Sequence, residues 1–441
     1  MFKTLKNALK VKEIRNGIIY TFLMIVVVRI GCQIPIPGTD ADVIAQITEQ
    51  FSGGAFGFFD AMTGGSFSEM SIFALNITPY ITASIIIQLL TIAIPKLEEM
   101  QKDGEDGRKK IQKITRFVTV ALAIIEGTAM AIGFGNQGVF GATSSMSTAE
   151  YAGVITVAVI TMTAGSALVM WIGERITEKG VGNGISIVLL VNIISRIPSD
   201  IINLFDKFVK GASSIGGSVL AAVVIIAIIV FVVAFVVILQ DGQRKIAVQY
   251  SKKMQGRKMV GGQTSHIPLK VNTAGVIPVI FAQSLLQFPV VIGSFFKQSN
   301  AEWTKYLSSQ YWANPDALKY SIGLLAYILL VLFFAYFYTS ITFNPVEVAN
   351  NMKKQGGFIP GIRPGKPTST YLQTILNYVI FIGAAGLILV AITPIIFSGV
   401  FSASVSFGGT SLIIIVGVVI ETLKNIESKM VVRNYKGFLT D

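Results

Sequence analysis

Residues 71–90 read SIFALNITPYITASIIIQLL. The run is apolar and, at about 20 residues, long enough to cross the hydrocarbon core of a bilayer. Yet Pro79 lies in its middle, and Asn76, Thr78, Thr82 and Ser84 crowd around it. Proline suits the first turn of a helix, where its missing N–H would be unpaired anyway. The stretch therefore reads as a helix that begins near Pro79, partway through the membrane. The preceding segment FDAMTGGSFSEM (59–70) has no Lys or Arg, is broken by Gly64-Gly65, and with Phe56, Phe58, Phe59 and Met62 is apolar enough to prefer burial. A short re-entrant helix is tolerated at membrane depth only when protein or a water-filled cavity surrounds it. An interfacial loop is the alternative, and the residues alone leave both open.

The same pattern recurs. Pro79, Ile81 and Ala83 lead to Gln88, and Pro278, Ile280 and Ala282 lead at the same spacing to Gln287. Ten apolar spans are predicted, at 17–34, 73–94, 114–134, 152–173, 183–197, 217–239, 273–294, 320–342, 373–394 and 408–427. The two proline-started helices fall at equivalent places in two five-span halves. Because five is odd, those halves face opposite ways, and interrupted helices in inverted repeats point to a pathway at the repeat interface.

Of the 441 residues, 52% are hydrophobic and 14% charged, where a soluble domain carries about 25% charged residues. This is the composition of a polytopic membrane protein. The lone Cys32 excludes an internal disulfide and any multi-cysteine metal site, and the single His266 lies in a basic loop. The basic N-terminus MFKTLKNALKVKEIRNG is followed by no A-x-A-like cleavage site, so the first span reads as uncleaved. Lys and Arg gather on the N-terminus, the even-numbered connections and the C-terminal tail, whereas the connections after the first, third and ninth spans carry none. This places both termini in the cytoplasm and makes the net charge of +12 a topology signal rather than one for nucleic-acid recognition. Two of these cytoplasmic connections, 241–270 and 344–370, are too long to be turns. KIAVQY and KMVGGQ in the first alternate as a β-ribbon does. Their basic faces suit a docked partner or lipid headgroups equally.

No catalytic constellation is present, and the sequence predicts neither an enzyme nor a cofactor. H-E-x-x-H and G-x-S-x-G are absent. The nearest approach to a phosphate loop, Gly361 to Gly365-Lys366-Pro367, has the wrong spacing, and proline stands where Ser or Thr would hold magnesium. Energy for transport must then come from a partner or an ion gradient. An ion-coupled secondary transporter with inverted repeats is the competing reading, and it would need ionisable groups inside the spans. Arg29 and Glu421 lie near span ends and can snorkel, which leaves Glu126. Gly182-Asn183-Gly184 and Gly408-Gly409-Thr410 read as helix-entry caps.

Several long stretches, in order, carry a resemblance over essentially the whole chain. They are RIGCQIPIPG (29–38), SIFALNITPYITASIIIQLLT (71–91), EDGRKKIQKITR (105–116), MWIGERITEKGVGNGISI (170–187), HIPLKVNTAGVIPVIFA (266–282), FNPVEVANNMKKQGGFIPGIRPGKPT (343–368) and FGGTSLIII (407–415). The chain resembles the SecY/Sec61-alpha family of protein-conducting channels. The resemblance implies an all-α fold of ten transmembrane helices, with halves at 1–200 and 201–441 clasping an hourglass pore. The implied activity is passage of unfolded preproteins across the bacterial cytoplasmic membrane and release of apolar segments into lipid. It further implies a plug at about 57–70 (Phe58, Phe59, Asp60, Met62, Gly64, Gly65) and a pore ring of Ile77, Ile81, Leu189, Ile280 and Ile414, with Leu189 where isoleucine is usual. A lateral gate is implied at Gln88, Glu126, Ser284 and Phe288. The cytoplasmic loops (about 240–271 and 343–371) would dock the SecA motor or the ribosome through Arg244, Lys245, Arg257, Lys258 and Arg363. SecE and SecG are implied as companion subunits, and signal peptides, preproteins and lipids as ligands. The family commonly has glycine at the position of Asn76.

Overall fold

The computed structural model describes residues 9–40, 42–44, 46, 60, 62–140, 147–210, 215–250, 253–255, 258–260, 264–295, 302–309, 311–313, 315–401 and 409–437. Helix α1 (Lys12–Gly31) is the first span. An irregular segment then leads to α2 (Thr78–Ala93), in which Pro79 is the second residue. Ile94, restricted by the proline that follows it, is extended (φ −111°, ψ 108°). The chain there bends by 103° into the polar α3 (Pro95–Lys102). Next come α4 (Glu105–Gly135) and α5 (Thr148–Lys179), the latter closed by a Ser147–Glu150 capping box. Helix α6 (Gly184–Leu204) is N-capped by Asn183, whose side chain accepts from the backbone N–H of Ile185 and Ser186. It outlasts the predicted 183–197, because Pro198 removes one backbone donor without ending the helix. A π-helical turn (Phe205–Lys210) follows it.

The second half begins with α7 (Ile215–Asp241). Its spanning part, Ala222–Asp241, is only 11% buried, as expected of an apolar helix that faces lipid. Helix α8 (Ile277–Phe295) repeats the entry seen in α2, with Pro278 as its second residue. After the short α9 (Glu302–Leu307) come α10 (Ile322–Thr342), α11 (Pro345–Lys354), α12 (Lys366–Phe401) and α13 (Gly409–Gly437). Among the described residues, eight helices are long and apolar enough to cross a membrane, and the bent pair α2–α3 makes a ninth. Helix α8 enters as the shorter apolar stretch Ile277–Leu286. Gly408 lies outside the described residues, so its part in capping α13 does too.

Helices α1–α6 pack mainly on one another, as do α7–α13. The principal helix–helix contacts between the two groups are α4 against α8 and α6 against α13. The two long connections fold together. Strands β1 (Gln243–Tyr250) and β4 (Thr264–Lys270) form the ribbon, in the register Ile246↔Ile267, with β2 (Lys253–Gln255) and β3 (Lys258–Val260) paired beyond it. From the other connection, β5 (Gly357–Phe358) joins β1 through Gln249↔Phe358. Ile246, Val248 and Leu269 share an apolar core with Ala349, Met352, Ile359 and Leu372, so both loops form one extramembrane unit on the ends of α7, α10 and α12.

Candidate functional site

The five residues expected to form the pore ring come together. Ile77, Leu189 and Ile414 are buried in one apolar cluster, and Ile81 and Ile280 pack against it. They reach it from the residue preceding α2, from α2 itself, and from α6, α8 and α13. Ile81 and Ile280 hold the same place in the repeated proline pattern, and Ala83 and Ala282, two residues further on, are both fully buried. Ile193 belongs to the same cluster. Sequence reasoning passed over it, although it lies one helical turn after Leu189 on the same face.

On one side the cluster is closed by Met62, which is 5% exposed and counts among its members. Burying such a side chain contributes roughly 1.5–3 kcal/mol. The turn that carries Met62 is tied by polar groups. Asp60 is buried and pairs with Arg196 of α6 at 2.5 Å, while the Ser68 N–H donates to its other oxygen at 2.9 Å. The guanidinium of Arg29, at the end of α1, donates to the Gly64 carbonyl at 3.2 Å, so it is partnered rather than snorkelling. Gly64 and Gly65 have φ of +70° and +93°, the left-handed region that favours glycine. A Cβ on Gly64 would lie 2.9 Å from the Asn192 Cα, so the turn sits directly on α6. Phe58 and Phe59 lie outside the described residues.

From Met70 to Ile77 the backbone is not helical although it is buried, and its polar groups are nonetheless satisfied. Ile36 N–H donates to Met70 O and Ile72 N–H to Ile34 O, both at 2.9 Å. The Ser166 hydroxyl donates to Asn76 O at 2.9 Å. Satisfaction by surrounding protein is what permits irregular backbone at membrane depth. Asn76, fully buried, has φ +47°, the left-handed region that glycine adopts most readily and asparagine better than most other residues. Its carboxamide donates to Thr63 O at 3.3 Å and accepts from Asn192 at 3.1 Å. Asn192 also donates to Met62 O at 3.4 Å. Neither Asn192 nor Arg196 was singled out by the sequence.

At the seam between the two groups of helices, Gln88 of α2 contacts the Tyr338 hydroxyl of α10 at 3.5 Å. Phe281 of α8 stacks on Phe334 of α10, with centroids 5.1 Å apart. Glu126 is half-buried on α4, the helix that meets α8, and Ser284 is half-buried on α8. The side chains of Phe288 and Gln287 lie outside the described residues. A buried carboxylate just past the fourth predicted span went unremarked in the sequence: Glu174 of α5, 8% exposed, accepts from Arg116 at 2.8 Å and from Gln112 at 3.2 Å, and so staples α5 to α4.

In the extramembrane unit, Arg244 and Lys245 are exposed on β1. Arg363 is exposed in a turn between Gly361 (φ +83°) and Gly365 (φ +105°), its carbonyl accepting from Thr368 at 2.8 Å. Arg257 and the side chain of Lys258 lie outside the described residues.

The SecY family model matches residues 71–423. The Protein translocase subunit SecY of Streptomyces galbus is 43% identical over 448 residues, which cover 100% of both chains. Among solved structures, one described as a protein conducting channel superposes with a TM-score of 0.65 at 18% identity, covering 96% of this chain and 94% of the other. Sec61 in the canine ribosome–channel complex gives a TM-score of 0.62 at 17% identity, covering 96% and 94%.

Proposed function

The chain belongs to the SecY family, and from that premise we propose how its parts conduct protein. It is the channel-forming subunit of a protein translocase: unfolded polypeptide crosses the membrane through it, and apolar segments leave it sideways into lipid. Membership in this family displaces the ion-coupled transporter reading. The observation that carries the assignment of the site is the convergence of Ile77, Ile81, Leu189, Ile280 and Ile414 on one apolar cluster beneath Met62. The ring seals by dewetting and deforms around any sequence, since branched apolar side chains make no sequence-specific demand. Residues 57–70 act as the plug, and the halves 1–200 and 201–441 part along the seam that α2 and α4 make with α8 and α10.

Weakness at that seam supports its role as a gate. The polar tie across it among the described residues, Gln88 to Tyr338, is at the limit of hydrogen-bond length, and interhelical hydrogen bonds in membranes average only about 0.6 kcal/mol. An arriving apolar segment can compete with so little. Gln88, Glu126, Ser284 and Phe288 form this gate region, in which Glu126 tunes opening. Arg244, Lys245, Arg257, Lys258 and Arg363 dock SecA or the ribosome, and support comes from the fusion of both loops into one rigid exposed unit. The protein works without catalysis of its own, in the bacterial cytoplasmic membrane, with both termini cytoplasmic and with SecE and SecG as companions.

Crosslinking tests the reading. Cys32 is 1% exposed; Cys32→Ala removes the only native thiol, and Ile81→Cys places one at the constriction. With SecE and SecA in proteoliposomes, a preprotein stalled in transit should form an adduct at position 81 that depends on ATP. A stalled preprotein that never reacts there would remove the central claim.

A further inference from the structure

Two fully buried carboxamides stand immediately beside the ring and belong to none of the roles above. Asn76 precedes the ring residue Ile77, and Asn192 lies three residues after Leu189 on α6. They bind each other at 3.1 Å. Each also donates to a main-chain carbonyl of the plug, Asn76 to Thr63 O at 3.3 Å and Asn192 to Met62 O at 3.4 Å. The contacts are to backbone, so what is recognised is the path of the plug rather than its side chains. Asn76 is held ready by its left-handed backbone (φ +47°), a conformation asparagine tolerates better than most residues, and by the Ser166 hydroxyl on its carbonyl at 2.9 Å.

The pair grips incompletely. Asn192 Oδ1 and, one turn on, Arg196 Nε are buried without a hydrogen-bond partner among the described residues. An orphaned buried acceptor offsets much of what a neighbouring hydrogen bond contributes. A seal meant to be permanent gains nothing from such an arrangement, whereas one meant to release is helped by it.

We propose that Asn76 and Asn192 are specificity-determining residues of the channel: an amide latch that holds the plug by the carbonyls of residues 62 and 63 and sets how apolar an arriving segment must be to displace it. The proposal rests on the channel reading given above. Removing the latch lowers the work of displacement, so weaker signal segments suffice and the resting pore leaks more.

The test uses the full chain co-expressed with SecE, as parent, Asn76→Gly, Asn192→Ala and the double variant. Glycine at 76 keeps the left-handed backbone, and Asn192→Ser replaces the alanine variant should that fail to assemble. Resting ion conductance is recorded in planar bilayers without substrate. Translocation is then scored with SecA for one preprotein whose signal core is weakened stepwise from leucine to alanine. Each single variant should raise resting leak about tenfold and accept signals the parent rejects, with a strongly apolar signal translocated as before. The double variant should leak little more than either single, because the two amides act as a unit. Parent-like leak and threshold in the double variant overturn the latch, as does a strictly multiplicative, roughly hundredfold leak, which would make the residues independent. A parent that protects no preprotein at all overturns the channel reading instead.

Discussion

Alanine at Gly64 and at Gly65 should injure the seal to different degrees, and the order is fixed by what each Cβ meets. Both glycines have left-handed backbone, at φ +70° and +93°, and an L-residue there costs about 1–2 kcal/mol. Gly65 lies further from the left-handed minimum, so conformation alone would make Gly65→Ala the equal of Gly64→Ala or worse. Packing reverses this. A Cβ on Gly65 meets only the flexible end of Arg196, at 3.6 Å. On Gly64 it would stand 2.7 Å from the Arg29 guanidinium and 2.9 Å from the Asn192 Cα. The guanidinium can swing away, but a helix Cα yields only if α6 or the whole turn moves, and overpacking of this kind costs about 1–3 kcal/mol. Gly64→Ala should therefore shift the plug equilibrium by about 2–5 kcal/mol, against about 1–2 for Gly65→Ala. At about 1.4 kcal/mol per decade, leak should rise by roughly 30-fold or more in the first and by roughly 5- to 30-fold in the second. Resting conductance in planar bilayers at matched channel number reads both. If Gly65→Ala leaks as much as Gly64→Ala, close seating of the turn on α6 is not what holds the plug.

Two further outcomes are expected. Arg363→Glu reverses an exposed charge whose turn is held through its carbonyl by the Thr368 hydroxyl rather than through its guanidinium, so SecA-driven protection of a preprotein should fall at least tenfold while thermal stability and SecE assembly stay as in the parent; intact translocation would count against docking there. In the plug loop, desolvation and then the nearby Asp60 carboxylate hold the Glu69 carboxyl above its ordinary range, with Arg29 and Arg196 opposing. The seated plug therefore binds this proton more tightly than a displaced, solvated one, and acidification through the raised value favours seating. Resting leak should fall as the plug side is acidified through that raised carboxyl range, and Glu69→Gln should flatten that dependence. A leak that rises on acidification, or an undiminished slope in the glutamine variant, contradicts the assignment.

Much of this molecule is legible in its sequence because backbone chemistry and hydrophobic pattern are local. Pro79 and Pro278 do open their helices, the alternation in KIAVQY is a strand, and Asn183 caps α6. The ring residues were reached by family resemblance rather than by periodicity, which finds apolar faces but not which of them meet. What stayed hidden is polar pairing over distance. Nothing in the letters around Asn192 says that its amide faces residue 76, or that Arg196 faces Asp60. Arg29, read as free to snorkel, turns toward Gly64. The 103° bend at Ile94–Pro95 was also missed, since apolar character continues up to the proline and only backbone sterics stop the helix. The presence of Asn76 in the opening stretch is explained by a left-handed backbone that asparagine can adopt and by the partners its amide reaches in Thr63 and Asn192.

Every polar anchor of the plug described above, Arg29, Asn76, Asn192 and Arg196, comes from α1–α6 or the segment leading into α2, and none comes from α7–α13. On the reading proposed above, parting α2 and α4 from α8 and α10 carries the plug along with the wall to which it is tied. Movement of that wall alone leaves the polar ties intact, and the stopper leaves its seat only when an arriving segment breaks them.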